Sequence, residues 1–249
     1  MGDNGDSPVY FMVAGYSDNR RVSEHHLNEW WTNEHLVERL HHPGFINASR
    51  WLSPDPNNIA RKEYLAWYVV RSPDTLKSEE YKTSLENPTP DTIRCMQALT
   101  DWKRAAYAIH HNYIPAKKVV KPSEGNVLLL LTFYVGPDTS RDMVQEYDIN
   151  HLQSSLLTAL VLRRRDDYTQ LGVKTKSYNG VHFRSELRDL YSEEWILFLE
   201  YGSHTPRDKI ERDARSMQNF FASRGARIAE IKIFSHIVTM ESKSERQKL

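Results

Sequence analysis

The sequence predicts an α+β protein built from two tandem βαββαβ repeats that pack sheet against sheet. Three observations predict this class. The predicted elements follow the same order in both halves, a linker-like segment separates the halves, and each half carries an aromatic residue four positions before a histidine. A four-stranded sheet with helices on one face leaves its other face bare, so two copies in one chain can cover each other.

The first repeat is predicted over residues 9–114. Apolar and aromatic runs bounded by Pro, Gly and polar clusters indicate its strands, and a helical apolar period indicates its helices. The predicted strands are 9–16, 45–52, 64–70 and 104–113, and the predicted helices are 23–42 and 91–100.

Residues 115–125 combine prolines, lysines and a Ser-Glu-Gly turn, which is typical of a linker. The second repeat is predicted over residues 126–240, with strands 127–135, 158–164, 195–201 and 226–239 and helices 140–156 and 206–223. Two independent domains, each covering its sheet by pairing with another chain, remain the alternative arrangement.

The composition narrows the classes of partner. Lys plus Arg number 33 and Asp plus Glu number 33, so no net field favours nucleic acid or an anionic membrane. The longest apolar run is about half of the ~20 residues that a membrane-spanning helix needs. The single cysteine and the lack of a signal-peptide pattern predict a cytoplasmic protein whose partner is a small molecule, with a homodimer also possible.

The repeated aromatic and histidine pair supplies the candidate catalytic residues. Trp31 precedes His35 in the first helix, and Tyr147 precedes His151 in the corresponding segment of the second half. At helical spacing, His35 lies at the edge of the apolar stripe, beside Trp31, where a ligand could reach it. An imidazole titrates near neutral pH and therefore suits proton transfer, although a purely structural histidine is the simpler interpretation.

Polar-tipped side chains near these histidines are candidate substrate contacts. Tyr16 and Tyr134 lie at matching strand ends, and Asn33 lies between Trp31 and His35. The sequence has no Gly-rich phosphate loop and no Cys, His and carboxylate cluster with metal-like spacing, so neither a metal nor a cofactor is predicted.

The segment Glu29-Trp30-Trp31-Thr32-Asn33-Glu34-His35-Leu36, with Pro43-Gly44-Phe45 after it, resembles the EthD-like branch of the dimeric α/β-barrel superfamily. That resemblance covers most of the first half and implies ferredoxin-like repeats, as in tandem-repeat proteins of fungal secondary metabolism. In the second half only the Tyr147 and His151 pair and the strand order persist, which leaves open whether one repeat or both carry a working site.

The resemblance implies a cofactor-independent lyase or cyclase that dehydrates, cyclises or decarboxylates an aromatic or polyketide-like molecule. His35 and His151 would act as general acid and base, while Tyr16, Trp31, Asn33, Tyr134 and Tyr147 would hold the substrate. The alternatives are a cofactor-free monooxygenase that forms a quinone, a haem enzyme, and a non-catalytic small-molecule binding protein.

Overall fold

The computed structural model describes residues 8–17, 20–55, 58–113, 124–149, 152, 155–184 and 193–243. Its strands are β1 Val9–Ser17, β2 Phe45–Asp55, β3 Asn58–Val70, β4 Leu99–Asn112, β5 Val127–Val135, β6 Leu156–Arg164, β7 Glu193–Tyr201 and β8 Arg227–Glu241. Its α-helices are α1 Glu24–Glu29, α2 Leu36–His41, α3 Glu79–Glu86, α4 Pro90–Ala98, α5 Met143–Glu146, α6 Asp166–Thr169 and α7 Arg207–Ser223. A π-helical turn, Trp30–His35, lies between α1 and α2, and short 3₁₀ turns occupy Pro73–Lys77 and Lys176–Tyr178.

The eight strands are hydrogen-bonded in the order β1-β3-β2-β8-β5-β7-β6-β4, and this order closes into a barrel. The predicted α+β class is therefore confirmed, with an eight-stranded antiparallel barrel as its sheet. The division into ferredoxin-like repeats at residues 9–114 and 126–240 stays a prediction.

The chain divides into two compact units. Unit 1 comprises the described residues within Met1–Tyr107, Arg165–Ser185 and Ile237–Leu249. Unit 2 comprises those within Ala108–Arg164 and Glu186–His236. The connection between β6 and β7 thus contributes to unit 1, where the Trp102 N–H donates to His182 and the Arg184 N–H donates to Trp102.

In unit 1, β3 pairs antiparallel with both β1 and β2. Alternating residues of these strands point to opposite faces. One face, which includes Phe11, Ala48 and Tyr68, packs with the helices in a single apolar cluster. Leu65 and Trp67 of the opposite face are also buried, so residues 64–70 of β3 are apolar on both faces.

In unit 2, β5 pairs antiparallel with β7 and β8, and β6 pairs with β7. Helix α7 packs Met217 and Phe221 with Leu131 and Phe133 of β5. The Phe133 and Phe221 rings stack with their centroids 4.8 Å apart, which fixes the helix over the strand.

Two predicted helices differ from the structure. The helix expected over 23–42 is interrupted by the π-helical turn. The helix expected over 140–156 is limited, in the described part, to the four residues of α5, because Tyr147 already adopts an extended backbone. Asp and Ser residues crowd this segment, and their side chains compete for backbone hydrogen bonds and favour turns over helix.

Other bounds were predicted too short or missed. Strand β3 begins at Asn58 rather than at residue 64, because the charged stretch before Tyr64 hides its first half. Helix α3 was not predicted, although Ser78 caps it by accepting from the Tyr81 N–H. Among the described residues, no helix is both long and apolar enough to span a bilayer.

Candidate functional site

The π-helical turn Trp30–His35 presents the predicted histidine of the first half. The helix begins at Ser23, whose hydroxyl accepts from the His26 N–H, with Glu24 in its first turn. Over Trp30–His35 the helix is π-helical, with about one extra residue per turn, and regular α-helical geometry returns in α2. Single π-helical turns inside α-helices are frequent at functional sites, so this turn marks the first place to look for one.

The imidazole of His35 packs against Trp30, not against Trp31 as regular helical spacing predicts. The two ring centroids are 4.8 Å apart and the rings are tilted by 39°. The wider turn brings residues five positions apart onto one side, which explains the difference. Trp30 is itself anchored, because its indole N–H donates to the Thr92 hydroxyl at 3.1 Å.

The surroundings of His35 favour the neutral form of its imidazole. Only 7% of its surface is exposed, and burial lowers its pKa well below 6.5, with further lowering by the charges of Arg39 and Arg50. Its Nδ1 is buried and has no hydrogen-bond partner within the part of the chain that the structure describes. The ring is therefore a neutral base with an unused nitrogen at physiological pH.

Arg50 of β2 lies fully buried under the same helix. Its guanidinium donates to the Thr32 hydroxyl at 2.5 Å and to the side chain and main chain of Asn28 at 2.8 and 3.2 Å. It also lies 5.0 Å from the Trp31 ring and 5.7 Å from the Tyr64 ring. Burial lowers the pKa of Arg50 to about 10, so the group stays cationic at neutral pH.

A second arginine approaches the histidine from α2. Arg39 is 2% exposed, donates to the Ser84 hydroxyl at 2.8 Å and lies 5.3 Å from the Tyr81 ring. Burial raises the pKa of the neighbouring Tyr68, while Arg39 and the Trp31 indole act in the opposite direction. A neutral base, two buried cations and a protonated phenol thus lie in one region between helix and sheet.

The structure brings some predicted residues of the first half together and keeps others apart. Trp31 is fully buried, with its ring 6.0 Å from that of Trp102. Asn33 is exposed, and its amide donates to Glu29 at 2.8 Å. Tyr16 points to the strand face opposite Phe11 and lies 5.8 Å from the Arg184 guanidinium. Trp31 therefore lies beside the buried cations, whereas Asn33 and Tyr16 do not.

The predicted residues of unit 2 are separated as well. Tyr134 lies on the β5 face opposite Phe133, 4.8 Å from the Arg227 guanidinium. Tyr147 is 6% exposed, and its ring contacts Phe220 at 4.9 Å. His151 lies outside the described residues, so its predicted role stays a prediction.

Unit 2 contains a cavity of about 370 Å³. The end of β4 and the segment after α5 line it, with Tyr147 among the lining side chains and His111, Asn112, Tyr113, Gln145, Glu146, Asp148 and Ile149 as the others. Most of these groups are polar, and His35 is not among them. This cavity is the second candidate site.

Sequence reasoning missed the buried arginines Arg39, Arg50 and Arg104. Arginine is rarely buried, so position alone gave little reason to place them inside. One signal was present for Arg50, which shares its strand face with the apolar residues Ala48 and Leu52. Among the described residues, no group of three or more His, Cys, Asp and Glu side chains is arranged to hold a metal ion.

No family model and no curated protein matches this sequence. Solved structures do match its fold. An anthrone oxidase-like protein superposes with a TM-score of 0.57 at 11% identity, over 96% of this chain and 95% of the other. A proposed monooxygenase from Fusobacterium nucleatum superposes with a TM-score of 0.51 at 9% identity, over 95% of both chains. The likeness shows that this chain shares its general fold with these proteins.

Proposed function

We propose that this protein is an enzyme that removes a proton from a hydroxylated aromatic small molecule bound in unit 1. The observation that carries the proposal is the His35 imidazole, which is buried, neutral and unpaired at Nδ1 among the described residues. A neutral imidazole with an unused nitrogen can accept a proton, and a fixed cation beside it can stabilise the anion that the substrate becomes.

In this proposal His35 accepts the proton at Nδ1, and the charge that develops on the substrate oxygen is stabilised by Arg50. The guanidinium is held in place by Thr32 and Asn28 before the reaction, so little reorganisation is needed when the anion forms. Trp30 and Trp31 offer flat apolar surfaces that suit an aromatic substrate.

Oxidation by molecular oxygen is the outcome that the structural neighbours favour, since one is described as anthrone oxidase-like and another as a proposed monooxygenase. The deprotonated ring carbon would bond to O₂ and form a hydroperoxide. That hydroperoxide would lose water and leave a carbonyl, so that one CH₂ group and one O₂ give one C=O group and one water. The proton that His35 accepts returns in this step.

A lyase or cyclase reaction is the second outcome of the same first step. An enolate held by Arg50 can close a ring or can expel a β-hydroxide, which takes up the proton held by His35 and leaves as water. A β-keto acid that loses carbon dioxide would give the same enolate directly, and His35 would then return a proton to its carbon. This outcome consumes no oxygen, which separates it from oxidation.

Substrate entry requires movement in unit 1. His35 keeps only 7% of its surface exposed, and the cavity of about 370 Å³ lies in unit 2. The π-helical turn is the segment whose opening would expose the ring, because it carries both His35 and the Trp30 ring that covers it.

The test uses an anthrone as the probe substrate with the full chain. We expect quinone absorbance to rise and an oxygen electrode to record one O₂ for each quinone formed. The His35→Gln variant should lose about 10²- to 10⁴-fold in turnover. His25→Gln, at an exposed position of the same helix, is the matched control and should retain activity. Full turnover by His35→Gln would refute the base role, and product without oxygen consumption would favour the lyase.

A non-catalytic binding protein is the second candidate function, and the cavity in unit 2 is the observation that favours it. In that case an aromatic probe would be retained unchanged, and binding would respond to Tyr147→Ala but not to His35→Gln. Equilibrium dialysis followed by mass analysis of the retained compound distinguishes storage from conversion.

A further inference from the structure

The carboxylate of Glu34 ties the π-helical turn to the start of α4, and the proposed reaction gives this contact no role. Its Oε1 accepts from the Thr89 hydroxyl and, at 3.2 Å, from the Thr92 hydroxyl. Thr89 is the N-cap of α4, since its hydroxyl also accepts from the Thr92 N–H at 3.0 Å. The positive end of the helix dipole favours a carboxylate at this place, so Glu34 fastens the turn to α4.

The Thr92 hydroxyl joins this contact to the indole of Trp30. A hydroxyl has one hydrogen and can accept while it donates, so Thr92 gives its hydrogen to Glu34 and accepts from the Trp30 N–H at 3.1 Å. Trp30 is 3% exposed and Thr92 is 1% exposed, so bulk water does not take the place of these hydrogen bonds. A chain of hydrogen bonds therefore runs from a carboxylate, through a hydroxyl, to the indole.

The Trp30 ring in turn covers the imidazole of His35. Their centroids are 4.8 Å apart, and the two residues share one side of the helix because the turn between them is π-helical. Burial is the largest cause of the lowered His35 pKa. A looser indole would admit water to the imidazole, so the bonds that hold the indole also set the surroundings of the proposed base.

We propose that the Glu34, Thr89 and Thr92 side chains are positioning groups, which hold the Trp30 indole against the imidazole during proton transfer. A base works only within hydrogen-bond reach of the proton that it removes, so a small displacement of the ring lowers the rate. The effect on turnover rests on the proposed function of His35. The effect on the imidazole of the free protein needs no substrate.

The Thr92→Val variant tests the proposal, because valine keeps the shape of the side chain and removes the hydroxyl. NMR of the full chain, labelled at tryptophan and histidine, measures hydrogen exchange of the Trp30 indole N–H and the pKa of His35. The exchange should become at least about tenfold faster. The His35 pKa should rise towards 6.5, because the neighbouring arginines stay and only solvent access changes. Thr92→Ser keeps a hydroxyl, Thr83→Val changes an exposed position of α3, and both should keep the wild-type values.

The Glu34→Ala variant provides a test that does not depend on the folding of Thr92→Val, because Glu34 is partly exposed. Without the carboxylate, the Thr92 hydroxyl is no longer held in one orientation, and the Trp30 indole N–H should exchange several-fold faster. Wild-type exchange in Glu34→Ala would overturn the proposal, and so would a wild-type His35 pKa in Thr92→Val.

Turnover of the anthrone probe separates this inference from the proposed function. Thr92→Val should lower kcat by about tenfold, and Thr92→Ser should keep the wild-type kcat. A wild-type kcat in Thr92→Val, together with a raised His35 pKa, would show that the contact is structural only and would end the positioning role. If the wild-type protein does not convert the anthrone, the proposed function fails. The exchange and titration results then still decide whether these side chains hold the indole against the imidazole.

Discussion

The guanidinium of Arg50 lies 5.0 Å from the ring of Trp31 while it donates to Thr32 and Asn28. A side chain of β2 thus holds the segment that carries His35, through hydrogen bonds to Asn28 and Thr32 and through a cation–π contact with Trp31. This contact makes the stability of unit 1 and the position of the imidazole depend on one arginine.

The Arg50→Lys variant should therefore lose stability. Lysine keeps the charge but cannot reproduce the forked donors, and we expect a loss of about 2 to 4 kcal/mol in the free energy of unfolding. Urea unfolding measures it. Arg207→Lys is the control, since its side chain is largely exposed and its partner is the exposed Glu211. That control should change stability by less than about 0.5 kcal/mol, and an equal effect of both variants would contradict the prediction.

Acidification should destabilise the protein through His35. Its pKa is lowered in the folded state, so between pH 6.5 and the lower folded value the unfolded chain binds more protons than the folded one. Stability is fully present above pH 6.5 and is lost as the pH falls towards the folded pKa. His35→Gln removes this dependence, and His25→Gln does not. Urea unfolding at pH 7, 6, 5 and 4 should show a shallower decline for His35→Gln only, and parallel declines would refute the assignment.

Glu200 of unit 2 should produce the opposite pH dependence. Burial raises its pKa from 4.5 to about 7, although the Asn126 amide donates to it at 2.8 Å. Between pH 4.5 and 7 the folded state binds more protons than the unfolded state, so stability falls as the pH rises through that window. The cost at pH 8 is on the order of 3 kcal/mol.

The Glu200→Gln variant keeps the shape and the acceptor of this side chain but cannot ionise. It should be more stable than wild type at pH 8 and nearly equal to it at pH 4, as measured by urea unfolding at both values. Glu211→Gln on the exposed face of α7 serves as the control. A gain of the same size at both pH values would show that ionisation of Glu200 is not the cause.

Gly44 should tolerate no side chain. Its φ is +91°, and a Cβ there would lie 2.3 Å from the Thr75 Oγ1. Gly44→Ala should cost at least about 2 kcal/mol through backbone strain and overlap. Thr75→Ala in the same chain should restore only the part that is due to overlap. Gly136→Ala is the comparison, because its φ is not positive and its nearest atom lies 3.7 Å away. Comparable losses at both glycines in thermal unfolding would disprove the strain argument.

The strands were predicted well because alternation and turn residues are local signals. The predicted strand 127–135 has the bounds of β5, and the strand predicted from residue 45 begins where β2 begins. The π-helical turn could not be predicted, because an extra residue per turn leaves no pattern that differs from a regular helix. For the same reason His35 was expected beside Trp31 and lies instead against Trp30.

The candidate site was only partly foreseen. His35 and Trp31 were named from a short motif, but Arg39, Arg50 and Arg104 become buried only through the tertiary packing of α2, β2 and β4. Burial of an arginine depends on partners distant in sequence, such as Thr169 for Arg104, and no local pattern reports them. The segment after α5 misled the prediction because an apolar period was present without residues that sustain a helix.

The irregular turn at Trp30–His35 makes the imidazole sensitive to the length of the chain. Deleting one residue, for instance Thr32, would let the segment relax to a continuous α-helix, in which residues four positions apart, rather than five, share one side. The indole and the imidazole would then separate while the barrel below kept its strands. A homologue that is one residue shorter in this segment would retain the barrel and lose the contact between Trp30 and His35. The length of this segment, more than overall structural similarity, therefore indicates which relatives can share the proposed proton transfer.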